Sequence, residues 1–109
     1  MIGARLYILQ RLSALLMAPL VLGHLAVMIY AVQNGLSAGE ILGRTRGSLW
    51  WGAFYGLFVA AVSVHAAIGL RVVAYETLKL PLSWLTPLTW AIGIVLFLLG
   101  ARAVVAVVL

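Results

Sequence analysis

Residues 47–70 read GSLWWGAFYGLFVAAVSVHAAIGL and carry no charged side chain. An α-helix of about 20 mostly apolar residues is long enough to cross the hydrocarbon core of a bilayer. Two further uncharged stretches, residues 12–39 and 80–101, meet the same requirement on either side of the first. The sequence therefore predicts an all-α membrane protein with three transmembrane helices.

The composition of the chain agrees with this class. Of its 109 residues, 66% are hydrophobic and 8% are charged, whereas soluble domains carry roughly 25% charged residues. So few charges cannot cover a soluble surface, which excludes a cytosolic enzyme and a disordered tail. The net charge of +5 comes from scattered basic residues, which argues against a nucleic-acid-binding face. Because cysteine is absent, disulfides, Cys-ligated clusters and thiol nucleophiles are also excluded.

Turn-forming residues place the ends of the three spans. The loop after the first span is indicated by Gln33, Asn34, Gly35 and Ser37. The second helix is predicted from Leu49 to Leu78, and the third begins at Pro87, with Ser83 or Thr86 as its N-cap. The spans are predicted at about 9–32, 49–75 and 87–109, within a single transmembrane domain covering residues 1–109.

The positions of Lys and Arg predict the orientation, because cytoplasmic flanks of membrane helices are enriched in these residues. The N-terminus and the 72–82 loop share one side, which carries Arg5, Arg11, Arg71 and Lys79. The other side carries Arg44 and Arg46, with Arg102 near the end of the third helix. We therefore expect a cytoplasmic N-terminus. The first apolar run is too long for a secretion signal, so we expect it to be retained as a span.

Two histidines lie inside the predicted spans, where lipid penalises ionisable groups. His65 has Ala61 and Gly69 one helical turn away on the same face. Such small neighbours leave room for a flat macrocycle that the imidazole coordinates. The alternative is a histidine that hydrogen-bonds to another helix, with small residues allowing the helices to pack closely.

His24 is the second candidate ligand. Leu20 and Met28 flank it one turn away, and such side chains commonly line a cofactor pocket. Ser13 lies close to three full turns earlier, so it points the same way as His24. The alternative for His24 is again an interhelical hydrogen bond.

Two arginines lie near span ends. Arg71 follows His65 by about 9 Å along the helix, and a guanidinium can bind a haem propionate bidentately. The alternative is a basic side chain that extends to the membrane interface. Arg11 has the same two interpretations, and Ser13 has the alternative of a hydrogen bond to its own helix backbone.

Two motifs resemble the cytochrome b membrane-anchor subunits of succinate dehydrogenase and fumarate reductase. Residues 65–71, HAAIGLR, are similar to the family's His-x-x-x-Gly-x-Arg motif, and residues 10–14, QRLSA, are similar to its His-Arg-x-Ser/Thr-Gly opening. The resemblance covers about residues 7–77. The sequence departs from the family at Gln10, where many members have His, and at Ala14, where many have Gly. It also departs at Tyr7, where some have a quinone-contacting serine.

The resemblance implies haem b as a cofactor, with His65 as an axial ligand. It also implies a ligand role for His24, because some members carry a first-span histidine thirteen residues after the motif arginine. It places Arg11 and Ser13 near a quinone or the haem propionates, and we expect Arg71 in the same vicinity.

The depth of the two histidines bears on the number of haems. If Arg11 and Arg71 both lie at the cytoplasmic interface, His24 is about 20 Å deep and His65 about 9 Å deep. This offset favours two stacked haems over one haem clamped by both residues. The remaining axial ligands would come from a second membrane anchor chain or from a second copy of this chain.

The resemblance therefore implies a three-helix subunit that forms part of a haem-binding helical bundle in a bacterial inner membrane. It would dock flavoprotein and iron–sulfur subunits on the cytoplasmic face and pass electrons to or from quinone, the substrate, without catalysing succinate chemistry itself. Three alternatives stay open: a haem-free structural anchor of a respiratory complex, a small transporter or channel subunit, and the cytochrome b of a hydrogenase or formate dehydrogenase.

Overall fold

The computed structural model describes residues 3–109; residues 1 and 2 of the predicted domain lie outside the described part. Residues 3–109 form four α-helices and no β-strand: α1 Ala4–Asn34, α2 Ala38–Thr45, α3 Leu49–Leu78 and α4 Leu82–Val108. Three of them, α1, α3 and α4, are long and apolar enough to cross a membrane. The predicted all-α class with three spanning helices is confirmed, and the chain is a multi-pass membrane protein.

The central helix is α3, which packs against α1 on one side and against α4 on the other. Small residues bring α4 close to α3. A Cβ atom at Gly93 would lie 3.5 Å from the Cβ of Ala67, and a Cβ at Gly100 would overlap Val59. Such small-residue contacts are typical of membrane helices. Lipid provides no hydrophobic force between helices, so their association depends on van der Waals packing, which small residues strengthen by letting the backbones approach closely.

Large apolar side chains cover most of the outer surface. Leu15 is 70% exposed and Trp50 is 74% exposed, whereas the buried positions are few and lie mainly along α3. Lipid tails are as apolar as leucine, so this exposure is compatible with a bilayer. The buried residues of α3 therefore mark the packing seam of the bundle.

The structure corrects the predicted start of the third spanning helix. The N-cap of α4 is Pro81, so neither Ser83 nor Thr86 caps this helix, and Pro87 lies inside it. Because Pro87 lies near the start of α4, its missing N–H removes one backbone hydrogen bond in the second turn without ending the helix. The helix α1 begins at Ala4, five residues before the predicted start of its membrane span, because a helix can extend beyond the apolar segment that crosses the membrane.

The short helix α2 lies in a region where the sequence predicts a loop. Ser37 accepts a hydrogen bond from the backbone N–H of Glu40, and the Glu40 carboxylate accepts one from the backbone N–H of Ser37. Hydrogen bonds from Ser37 hold the pKa of Glu40 below its usual value. This reciprocal arrangement is a capping box, and the Ser-x-x-Glu spacing that signals it is visible in the sequence.

Candidate functional site

The site lies between α1 and α3, which run antiparallel. Ser13 of α1 contacts His65 of α3. One turn back along α1, the Nε2 atom of Gln10 lies 3.5 Å from the position that a Cβ would take at Gly69, one turn further along α3. These two contacts fix the register of the helices, so the motifs at residues 10–14 and 65–71 face each other.

The polar contact at the centre of this interface joins Ser13 and His65. Ser13 is only 7% exposed. Its Oγ atom lies 3.3 Å from Nδ1 of His65 and donates to the backbone carbonyl of Gln10 at 3.0 Å. Within residues 3–109, Nε2 of His65 makes no hydrogen bond. One nitrogen of the imidazole is therefore engaged by α1, and the other is free.

The small neighbours of His65 take part in helix packing. Gly69 faces the side chain of Gln10, and Ala61 is 5% exposed. On the side that faces α1, His65 thus contacts another helix across a close-packed interface, as the alternative interpretation expects. His65 is therefore a candidate metal ligand because of its free Nε2 atom, and not because of the small residues that flank it.

His24 lies further along the same interface, among aromatic rings of α3. Its ring centroid is 5.1 Å from that of Phe58 and 6.2 Å from that of Tyr55. Among the described residues it has no hydrogen-bond partner, so the interhelical hydrogen bond considered above is not formed here. His24 lines two cavities, of about 540 Å³ and about 380 Å³. Arg44 also lines the larger one.

The two histidines lie at different levels along the bundle. Ser13 marks the level of His65, and His24 lies eleven residues further along α1, which corresponds to about 16 Å at 1.5 Å per residue. The offset along the helix axis predicted from the sequence is smaller, because that prediction places Arg11 and Arg71 at the same depth in the membrane. The pairing of Ser13 with His65 instead puts Arg11 deeper than Arg71. A single iron therefore cannot take both imidazoles of one chain.

The two arginines make their contacts away from the candidate ligand. Arg11 is exposed, and its guanidinium carbon lies 5.7 Å from the ring centroid of Tyr7 on the same helix. Arg71 donates from Nη1 to the hydroxyl of Thr89 on α4 at 3.3 Å, and its Nε atom is buried without a partner in the described part of the chain. Of the three polar residues expected near a cofactor, the structure brings only Ser13 to His65.

The helix α2 contributes Arg44 to the candidate site, whereas in the sequence this residue indicates only the orientation of the chain in the membrane. The side chain of Arg44 donates to the carbonyl of Gly35 at 2.8 Å, and its guanidinium carbon lies 5.4 Å from the ring centroid of Tyr30. This places a cation at the rim of the cavity that His24 lines. The capping box of α2 is the signal that would have found it, because Arg44 follows Glu40 by one helical turn.

One comparison with known proteins identifies a family. A family model described as succinate dehydrogenase/fumarate reductase transmembrane subunit matches residues 1–101. No curated protein and no solved structure matches the chain. The matched region contains α1, α2, α3 and most of α4, and therefore both candidate ligands and both motifs.

Proposed function

The chain belongs to the succinate dehydrogenase/fumarate reductase transmembrane-subunit family, and from this premise we propose that it is the cytochrome b anchor of a succinate:quinone oxidoreductase. Family membership implies that it associates with other subunits of such a complex. In this proposal those subunits are a flavoprotein and an iron–sulfur protein on the cytoplasmic face of a bacterial inner membrane. The N-terminus faces the cytoplasm, and succinate chemistry belongs to the partners.

The observation that carries the proposal is the arrangement of His65. Its imidazole lies on the central helix of an apolar bundle, with Nδ1 against Ser13 and Nε2 free of hydrogen bonds within residues 3–109. Haem iron takes a neutral imidazole nitrogen as an axial ligand. The residues therefore fit haem b, which when bound supplies one-electron transfer between the iron–sulfur subunit and quinone.

The position of His24 supports a second haem level. It lines a cavity together with aromatic side chains, about 16 Å along the axis from the level of His65. Each histidine would supply one axial ligand, and a second anchor chain or a second copy of this chain would supply the other. Arg44, at the rim of the same cavity, is suited to a propionate.

Arg71 is our strongest candidate for a quinone contact. It lines a groove of about 610 Å³ formed by α1, α3 and α4, where Thr86 and Thr89 add hydroxyl groups to an otherwise mostly apolar lining. A quinone combines polar carbonyl groups with an apolar tail, which matches this lining. Arg11 is exposed on α1 and stays available to a propionate or a partner subunit.

The test is a reduced-minus-oxidised visible spectrum of membranes containing the full complex. We expect a haem b signal in the wild type, loss of one component in His65→Ala and loss of a separate component in His24→Ala. Gln33→Ala, which changes an exposed polar residue at the end of α1, serves as the matched control. An unchanged signal in His65→Ala contradicts the ligand assignment.

A haem-free structural anchor is the second candidate, because the contact between Ser13 and His65 also holds two helices together without a cofactor. This function predicts no Soret band in the wild-type complex. It further predicts that His65→Ala weakens assembly of the subunits, measured as the flavoprotein that remains bound to washed membranes.

A further inference from the structure

Ser13 is the polar side chain that contacts the candidate ligand directly, from the neighbouring helix. We propose that Ser13 is a positioning residue that accepts the Nδ1–H of His65. This hydrogen bond fixes the imidazole in the tautomer whose Nε2 carries the free electron pair. The consequence for haem rests on the proposed function, but the tautomer itself does not.

The hydrogen count at Ser13 supports the direction of this bond. A serine hydroxyl has one hydrogen to donate and two lone pairs to accept with. The Oγ atom of Ser13 is 3.0 Å from the carbonyl oxygen of Gln10 and 3.3 Å from Nδ1 of His65. The carbonyl oxygen can only accept and lies at the shorter distance, which favours donation of the hydroxyl hydrogen to Gln10. Nδ1 must then carry its own hydrogen and donate it to Oγ.

The surroundings make this arrangement stable. Ser13 is 7% exposed, so water does not compete for its hydroxyl, and hydrogen bonds are stronger in a low-dielectric interior. Within residues 3–109, His65 has no other hydrogen-bond partner. The reversed arrangement would place the hydrogen on Nε2, and that hydrogen would have to leave before the atom could bind a metal.

The same bond orients the ring. Nδ1 is held toward α1, and Nε2, across the ring, is directed away from Ser13. A metal-bound histidine generally donates its other ring N–H to a nearby acceptor, and loss of that acceptor lowers metal affinity by about 10- to 100-fold. We therefore assign to Ser13 the role of such an acceptor, which differs from the position near a quinone or the haem propionates that the resemblance implies.

The first test reads the tautomer without haem. The full chain, labelled with ¹⁵N-histidine, is studied by NMR in detergent micelles at about pH 8.5, two units above the ordinary histidine pKa. We expect a protonated Nδ1 and an unprotonated Nε2 at His65 in the wild type. Ser13→Ala should shift the population toward protonated Nε2, and Ser13→Thr should restore the wild-type pattern.

Ser63→Ala is the matched control for this experiment. Ser63 is a buried serine two residues before His65 on α3, and its hydroxyl donates to the carbonyl of Val59 at 2.7 Å. Its replacement removes a buried hydroxyl of the same helix but should leave the His65 tautomer unchanged. The His24→Ala variant assigns the two histidine signals.

The second test uses the complex with its cofactor. Ser13→Ala should lower the affinity for haem by about 10- to 100-fold and move the haem midpoint potential, whereas Ser13→Thr and Ser63→Ala should stay at wild-type values. If the wild type holds no haem but the tautomer depends on Ser13, the proposed function fails and the hydrogen-bond inference stands.

Three results overturn the inference while leaving haem ligation intact. One is a protonated Nε2 at His65 in the wild-type chain, which decides the matter even if Ser13→Ala does not fold. Another is a Ser13→Ala variant with the wild-type tautomer. The third is a Ser13→Ala complex whose haem affinity and midpoint potential both equal those of the wild type.

Discussion

Replacing Gly100 with alanine tests the packing of α4 against α3. The new Cβ would overlap Cγ1 of Val59 and would lie 2.9 Å from its Cγ2 and 3.2 Å from its Cβ. Carbon atoms in contact prefer about 3.5–4.0 Å, so the two helices would have to separate by about 0.6–1.1 Å at Cγ2. Rotation of Val59 does not remove the overlap, because valine has one strongly preferred rotamer in a helix and its own Cβ is close.

The expected magnitude follows from two opposing effects. Overpacking of a well-packed contact costs about 1–3 kcal/mol, whereas alanine is favoured over glycine in a helix by about 0.8–1.0 kcal/mol. Gly56→Ala is the control, since no atom lies within 4 Å of a Cβ at that position of α3. The two variants should therefore differ by about 1–3 kcal/mol in the free energy of unfolding.

The assay is equilibrium unfolding of the purified chain in mixed micelles with increasing SDS, followed by tryptophan fluorescence and circular dichroism. Combining Gly100→Ala with Val59→Ala should give a favourable coupling energy of about 0.5–3 kcal/mol, because the second change removes both clashing methyl groups. Equal stabilities of Gly100→Ala and Gly56→Ala would refute the reasoning.

Three further predictions concern α2 and the second histidine. Thr45→Val removes a hydroxyl that donates to the carbonyl of Val107 at 2.6 Å. This change should lower the free energy of unfolding by about 0.5–1.5 kcal/mol and speed amide exchange in α2. An unchanged exchange rate would contradict this prediction. Hydrogen bonds from Ser37 hold the pKa of Glu40 below the ordinary value of 4.5, so the carboxylate stabilises α2 fully above that value and loses this effect as the pH falls through the lowered pKa. NMR shifts of the α2 amides should report this transition, and Ser37→Ala should move it toward the ordinary value. His24→Phe should change the free energy of unfolding by less than about 1.5 kcal/mol, because one ring replaces another, yet it should remove one haem component from the visible spectrum.

The helix predicted over Leu49–Leu78 agrees with the bounds of α3, and the structure shows what ends it on each side. The hydroxyl of Ser48 caps its first turn by accepting from the backbone N–H of Trp51 at 3.2 Å, and Lys79 adopts the left-handed conformation just after Leu78. The predicted start of α4 at Pro87 is wrong, because this proline lies inside the helix. A proline in the second turn is tolerated in a membrane helix, where neighbouring groups can take up the freed carbonyl.

Helical periodicity also predicts which residues share a face, and the structure bears this out for α1. Ser13 and His24 both contact α3, the former through His65 and the latter through Phe58. Periodicity cannot predict which residue of α3 each one meets. That choice depends on the axial register of two mostly apolar helices, and the few polar residues at their interface do not by themselves show which pairs will meet.

The separation between the two histidine levels has an electrical consequence. It amounts to about 16 Å of helix axis, or about half of a hydrocarbon core of roughly 30 Å. A full crossing is worth about 2.3 kcal/mol per elementary charge at 100 mV. If a haem is bound at each level, as proposed, an electron that passes between the two haems would be driven or opposed by about 1 kcal/mol per 100 mV, and the voltage of the energised membrane would bias its direction of travel.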